Sequence, residues 1–114
     1  MSEYTPDRWV VLEMSSDTQE PILKVFAGWY GGFAGADSWK LNSGITEIRC
    51  EDGNYEFDGY SGSTYYCHAN TYGMSSYMMS VLADWQKKFE VRADIKIRLL
   101  DLEEVVVVNS SSPL

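Results

Sequence analysis

Between residues 74 and 99 the hydrophobic repeat changes length. Met74, Tyr77, Met78, Val81, Leu82, Trp85 and Phe89 recur at helical spacing and fall on one face of a helix. Val91, Ala93, Ile95, Ile97 and Leu99 then alternate with Arg92, Asp94, Lys96 and Arg98, the two-residue repeat of a strand with one buried face. The spacing predicts a helix capped by Ser75 and ending near Lys88, with Asp84 and Lys88 paired on its wet side. A strand over residues 91–99 follows. A helix with a wide apolar stripe beside a strand with one apolar face reads as a helix lying across an antiparallel sheet.

The earlier segments supply that sheet. Residues 8–14 read as a strand with Trp9 and Val11 on one side and Val10, Leu12 and Met14 on the other. Apolar side chains on both faces mark an inner strand or one sealed by a partner chain. Residues 15–21 are a polar loop. Residues 22–30 form the next strand, with Leu23, Val25, Ala27 and Trp29 opposing Ile22, Phe26 and Tyr30, so the two strands make a long-looped hairpin. Residues 28–44 hold five glycines with Trp29, Tyr30, Phe33 and Trp39 and have no clean period. Such a stretch is a packed loop or the wall of a site.

Asp52-Gly53, between strands at residues 45–51 and 55–60, is a hairpin signal. It sets Cys50 against Tyr55, Arg49 against Glu56 and Ile48 against Phe57, so like meets like and charge meets opposite charge. The strand at residues 64–69 is read with Tyr65 and Cys67 on the side of Tyr55 and Phe57. A slip of one residue would exchange them for Tyr66 and His68. The four valines at 105–108 are either buried on both sides or add an edge to another copy, and residues 109–114 form a frayed polar tail.

Together these elements predict one α+β domain over residues 1–114. It is an antiparallel sheet of five to six strands with one long helix packed across one face, in the order β-β-loop-β-β-β-α-β. The two-sided first strand and the valine run also predict a homodimer, because they leave apolar surface that one small domain must hide.

The formal net charge is −8. Phosphate backbones and anionic membranes are recognised through Lys and Arg, so neither nucleic acid nor membrane is an expected partner. No apolar run approaches the roughly 20 residues of a spanning helix, and residues 1–8 lack the apolar core of a signal peptide. Two cysteines without an export signal point to the cytoplasm. In size, acidity and aromatic content the chain is similar to small proteins carried on bacterial mobile elements, a likeness of composition that gives no residue a role.

Sequence motifs for catalysis and cofactors are missing. The glycines at 28, 31, 32 and 35 do not make a dinucleotide fingerprint, and no phosphate-binding loop occurs. One histidine and two separated cysteines do not make a zinc site. No cofactor or metal is expected. Gly59-Tyr60-Ser61-Gly62-Ser63 departs from a nucleophile elbow at its fifth residue and sits between two strands. Cys50 and Cys67 lie two strands apart, about 9–10 Å, too far for a disulfide, and read as two buried thiols packing as small hydrophobes.

The candidate ligand-binding residues are those that parity and composition bring together. Arg49, Glu56, Asp58, Tyr60, Tyr66 and His68 share the polar side of the meander, and Trp29, Tyr30 and Trp39 supply an aromatic wall. A pocket between meander and glycine-rich loop suits a small molecule, the first of three function classes. The second is a protein-interaction partner of inhibitor or immunity type, steered by its acidic charge onto a basic protein. The third is a small enzyme using His68 as general base. The reading leans away from an enzyme, because no nucleophile or metal motif stands beside that histidine.

Overall fold

Trp9, Val10, Val11 and Leu12 are all buried, so the strand that carries them is covered on both sides. The cover comes from within the chain. The computed structural model describes residues 2–31, 37–92 and 94–111. In chain order the elements are β1 (Glu3–Tyr4), β2 (Arg8–Ser16), β3 (Gln19–Trp29), β4 (Ser38–Leu41), β5 (Ile45–Glu51), β6 (Asn54–Gly59) and β7 (Thr64–His68). A 3-10 turn at Ala69–Thr71 leads to α1 (Ser76–Arg92), β8 (Lys96–Leu99) and α2 (Leu102–Ser111). Among the described residues the strands make two four-stranded sheets, β4-β3-β2-β8 and β1-β7-β6-β5. The first, here termed the helix sheet, is antiparallel throughout. The second, the meander sheet, is antiparallel except that β1 lies parallel to β7.

Alternation along β2 and β3 sends their side chains into two cores. Trp9, Val11, Val25 and Ala27 meet Tyr55, Phe57, Tyr65 and Cys67 of the meander sheet. On the other side, Val10, Leu12 and Phe26 meet Met78 and Leu82 of α1, with Trp85 and Phe89 at the rim. The helix comes so close at Gly28 that an added Cβ would lie 2.4 Å from Met78 Sδ. The predicted α+β architecture, antiparallel strands with one long helix across one face, describes this layer. The count is corrected: eight strands form two sheets where five or six in one were expected. The physical reason is that β2 and β3 present two apolar faces, and a single helix covers only one.

The meander follows its expected register. Asp52 and Gly53 turn with φ of 52° and 79°, the left-handed pair that a two-residue hairpin requires. Cys50 lies opposite Tyr55, Arg49 opposite Glu56 and Ile48 opposite Phe57. β7 pairs Cys67 with Tyr55 and Tyr65 with Phe57, so Tyr66 and His68 face outward.

Other expectations are corrected. β2 and β3 join through Asp17-Thr18 rather than a long loop, and Pro21 lies inside β3 near a bulge, where the ladder is already interrupted. Trp39, read as part of a loop, lies on β4. Cys67 is buried as expected, but Cys50, on the edge strand β5, is exposed; both are free thiols.

Ser75 Oγ accepts the Met78 N–H at 3.2 Å, the expected cap of α1, and Asp84 pairs with Lys88 at 3.0 Å. The helix then passes Lys88 to Arg92, which shortens the strand to Lys96–Leu99. A helix already formed propagates cheaply, and the chain has left it by Asp94, whose φ of 52° is a conformation Asp tolerates.

The valine run is helical rather than extended. Asp101 Oδ1 accepts the Glu104 N–H at 2.9 Å, and Glu104 Oε1 accepts the Asp101 N–H at 3.2 Å. This reciprocal cap starts α2 and overrides the strand preference of valine. Val105 turns into the core between the sheets. The helix reaches Ser111, into residues read as a tail. The two-sided β2 is thus covered within one chain, and of the valine run Val105 is buried while Val106 is exposed.

Tyr72 joins these parts. Its ring meets Trp9 edge-on with centroids 4.7 Å apart. Its hydroxyl accepts the Val11 N–H at 3.1 Å and donates to the Leu100 carbonyl, filling the gap where β2 and β8 part. Burial pushes its pKa up to about 12. Tyr72→Phe strips both backbone groups of their partner and is expected to lower the unfolding free energy by about 1–3 kcal/mol in urea denaturation. An unchanged midpoint would show that the bridge does not support the fold.

Candidate functional site

The outward face of the meander sheet carries polar side chains in rows fixed by the register. Glu51, Asn54 and His68 form one row, and Arg49, Glu56 and Tyr66 the next. Glu47, Asp58, Thr64 and Glu3 form the third. Five of these side chains are carboxylates and one is a cation.

That cation is held tightly. Arg49 Nε donates to Glu56 at 2.8 Å, and Nη1 donates to Glu47 at 2.7 Å and to Asp58 at 2.8 Å. Nη2 donates to the other Asp58 oxygen at 2.9 Å, and Thr64 Oγ1 donates to that same oxygen at 2.8 Å. These bonds, Arg49's first, hold the Asp58 carboxyl down at about 2. They also push the Arg49 pKa further up. An anionic ligand would have to take Arg49 from three carboxylates.

His68 is half-buried at the end of β7. Its Nδ1 accepts the Asn70 N–H at 3.0 Å and caps the 3-10 turn. With that lone pair engaged, Nε2 is the ring nitrogen left to donate. Beside it a hollow of about 340 Å³ opens, lined in part by Thr5, Pro6, Asn54, Glu56, Tyr66 and His68. The Tyr66 hydroxyl donates to Glu3 at 3.3 Å.

The aromatic residues divide. The Trp29 indole N–H donates to the Thr5 carbonyl at 3.1 Å, and the Tyr30 N–H donates to Asp7 at 2.9 Å. Both therefore adjoin the segment that rims the hollow. Trp39 lies on the opposite face of the helix sheet, its ring centroid 4.9 Å from Trp85. Tyr60 is 75% exposed in the turn after β6, at the other end of that strand from His68. The structure thus brings Arg49, Asp58, Tyr66 and His68 onto one surface; Trp29 packs against the core between the sheets and reaches only the Thr5 carbonyl, Tyr30 is joined to Asp7 only through its backbone, and Trp39 and Tyr60 stand apart. Phe33 of the glycine-rich loop lies outside the described residues.

A second concavity is missed by sequence reasoning. β2 and β3, nine and eleven residues long, face strands of five to seven. At the usual rise per residue β3 outruns β6 by roughly 15 Å. The overhang exposes an inner row of Leu23, Glu13 and Arg98, with α2 as its wall. A cleft of about 570 Å³ results. Arg98 donates to Glu104 at 2.6 Å and to Glu13 at 3.4 Å. The signal that could have found this wall is Asp101-Leu102-Glu103-Glu104, the spacing of a reciprocal helix cap.

Comparison with known proteins finds no matching family model, no matching curated relative and no matching solved structure. Among the described residues no three His, Cys, Asp or Glu side chains are grouped to hold a metal ion. No described helix is long and apolar enough to cross a membrane.

The Asp58 pKa is lower in the folded chain than in the unfolded one. Its contacts therefore stabilise the fold fully above about pH 4 and are lost as pH falls through about 2. The Arg49 side chain is 43% exposed, so solvent screening limits the contribution to about 1 kcal/mol. Asp58→Asn is expected to be less stable than wild type at neutral pH and to converge with it near pH 2 in thermal melts. A constant gap across that range would show that the ion pair is not linked to folding.

Proposed function

We propose that this chain is a non-catalytic binding module that docks a basic protein through the outer face of the meander sheet. The observation that carries this reading is the sorting of charge. Glu3, Glu47, Glu51, Glu56 and Asp58 share that face, and Arg49, the one cation among them, is consumed by three of them. Such a surface steers Lys and Arg side chains toward it, and Tyr66 among the acids offers a ring for a cation to lie on. An inhibitor or immunity-type protein acting on a basic target is the class this fits. The two free cysteines suit a reducing cytoplasm.

A second reading is favoured by the hollow beside His68, where Glu56, Tyr66 and His68 converge. A small molecule with hydroxyl or amine groups fits that lining. Another copy of the chain is the remaining partner expected from the sequence. With β2 covered on both faces, a homodimer would form on exposed apolar side chains such as Tyr30 and Met79. Light scattering reads it directly.

Glu3 and Glu51 line the acidic face without contacting Arg49, so reversing them leaves the central ion network in place. Capture from lysate with the wild-type chain is expected to recover a protein of high isoelectric point at low salt. The Glu3→Lys, Glu51→Lys double variant is expected to lose affinity roughly tenfold or more, with less effect at high salt. Recovery of the chain alone, or capture indifferent to both reversals, would reject the acidic face. A thermal-shift screen with metabolites then tests the hollow.

A further inference from the structure

We propose that the cleft between the inner face of the helix sheet and α2 binds an amphipathic cation, a small molecule with an apolar body and an amine or guanidinium head. This site shares no residue with the meander face. Its volume of about 570 Å³ lies in the range of ligand pockets. The floor is apolar, with Leu23, Leu100 and Pro21. It exists because β3 is longer than the strands that face it, so no neighbouring sheet covers that end.

The rim is acidic. Glu13, Asp101, Glu103 and Glu104 stand around one lining cation, Arg98, with Lys96 one row further out on the same face. The bonding among them decides the sign of the ligand. Glu104 gives one oxygen to Arg98 and the other to the Asp101 N–H. Asp101 Oδ1 accepts the Glu104 N–H, and Glu13 Oε1 accepts from Arg98. Glu13 Oε2, Asp101 Oδ2 and the Glu103 carboxylate are not used in these bonds. An anion entering here would meet four carboxylates and a guanidinium already engaged by two of them. A cation finds acceptors above an apolar floor.

The test uses phenethylamine, with phenethyl alcohol and hydrocinnamate as neutral and anionic controls of similar size. Affinities and backbone-amide NMR shifts are measured on the intact chain. Phenethylamine is expected to shift the amides of Leu23, Arg98 and Glu103 and to bind tighter than the alcohol, with hydrocinnamate weakest. Glu103 is exposed on the first turn of α2, so Glu103→Gln should keep the fold. It should weaken the amine roughly two- to fivefold while leaving the alcohol unchanged. Leu23→Ser is expected to weaken all three. Equal binding of amine and alcohol, a preference for hydrocinnamate, shifts that map elsewhere, or no shift at millimolar probe would each overturn the proposal.

Discussion

The indole of Trp9 is buried between the two sheets, and its N–H is satisfied by the His68 carbonyl at 2.7 Å. Its ring lies against Tyr55, Phe57 and Tyr72. Its own carbonyl accepts the Gly73 N–H at 2.8 Å. One residue therefore ties the helix sheet to the meander sheet and to the segment entering α1. The burial of a large ring supplies the attraction, and the bond to His68 prevents the polar tip from offsetting it. The same bond fixes the backbone of His68, with its side chain turned outward to the acidic face. The position of the candidate site thus depends on a contact made in the core beneath it.

Charge follows a consistent scheme on the two surfaces of interest. Arg49 and Arg98 each lie among carboxylates that outnumber them. Neither guanidinium is presented as a free anion receptor. Both act as struts that let acids crowd on one surface without mutual repulsion pushing them apart. The remaining large face of the helix sheet is taken by α1. Among the described residues, negative charge therefore collects at two places, flat over the meander and recessed beside α2.

The meander was legible because its signals are local. Asp52-Gly53 sets the turn, and the complementary pairs Arg49 with Glu56 and Ile48 with Phe57 leave little freedom in register. The stripe from Met74 to Phe89 was legible for the same reason, since α1 buries Met78 and Leu82 and partly buries Val81, Trp85 and Phe89, although Tyr77, read into the same stripe, is exposed. The two-sheet arrangement was not, because the apolar sides of β2 specify cover without naming what provides it. Strand preference misled at residues 105–108, where a capping pair three residues apart outweighed four β-branched side chains. The polar run at 15–21 concealed the lengths of β2 and β3, and with them the overhang that forms the cleft. Of the candidate site, Arg49, Asp58, Tyr66 and His68 came from parity alone. Glu3 and Thr5 reach it through the parallel pairing of β1, which no local pattern encodes.

The connectivity also divides local pairings from long-range ones. β5, β6 and β7 are neighbours in the chain and close over short turns, the kind of contact that forms early. Leu12 pairs with Leu99, and Glu3 with Thr64, so β1 and β2 are completed only by strands far along the chain. Without β8, the edge of β2 from Leu12 to Ser15 is left unpaired, and an unpaired strand edge is a template for pairing with another chain.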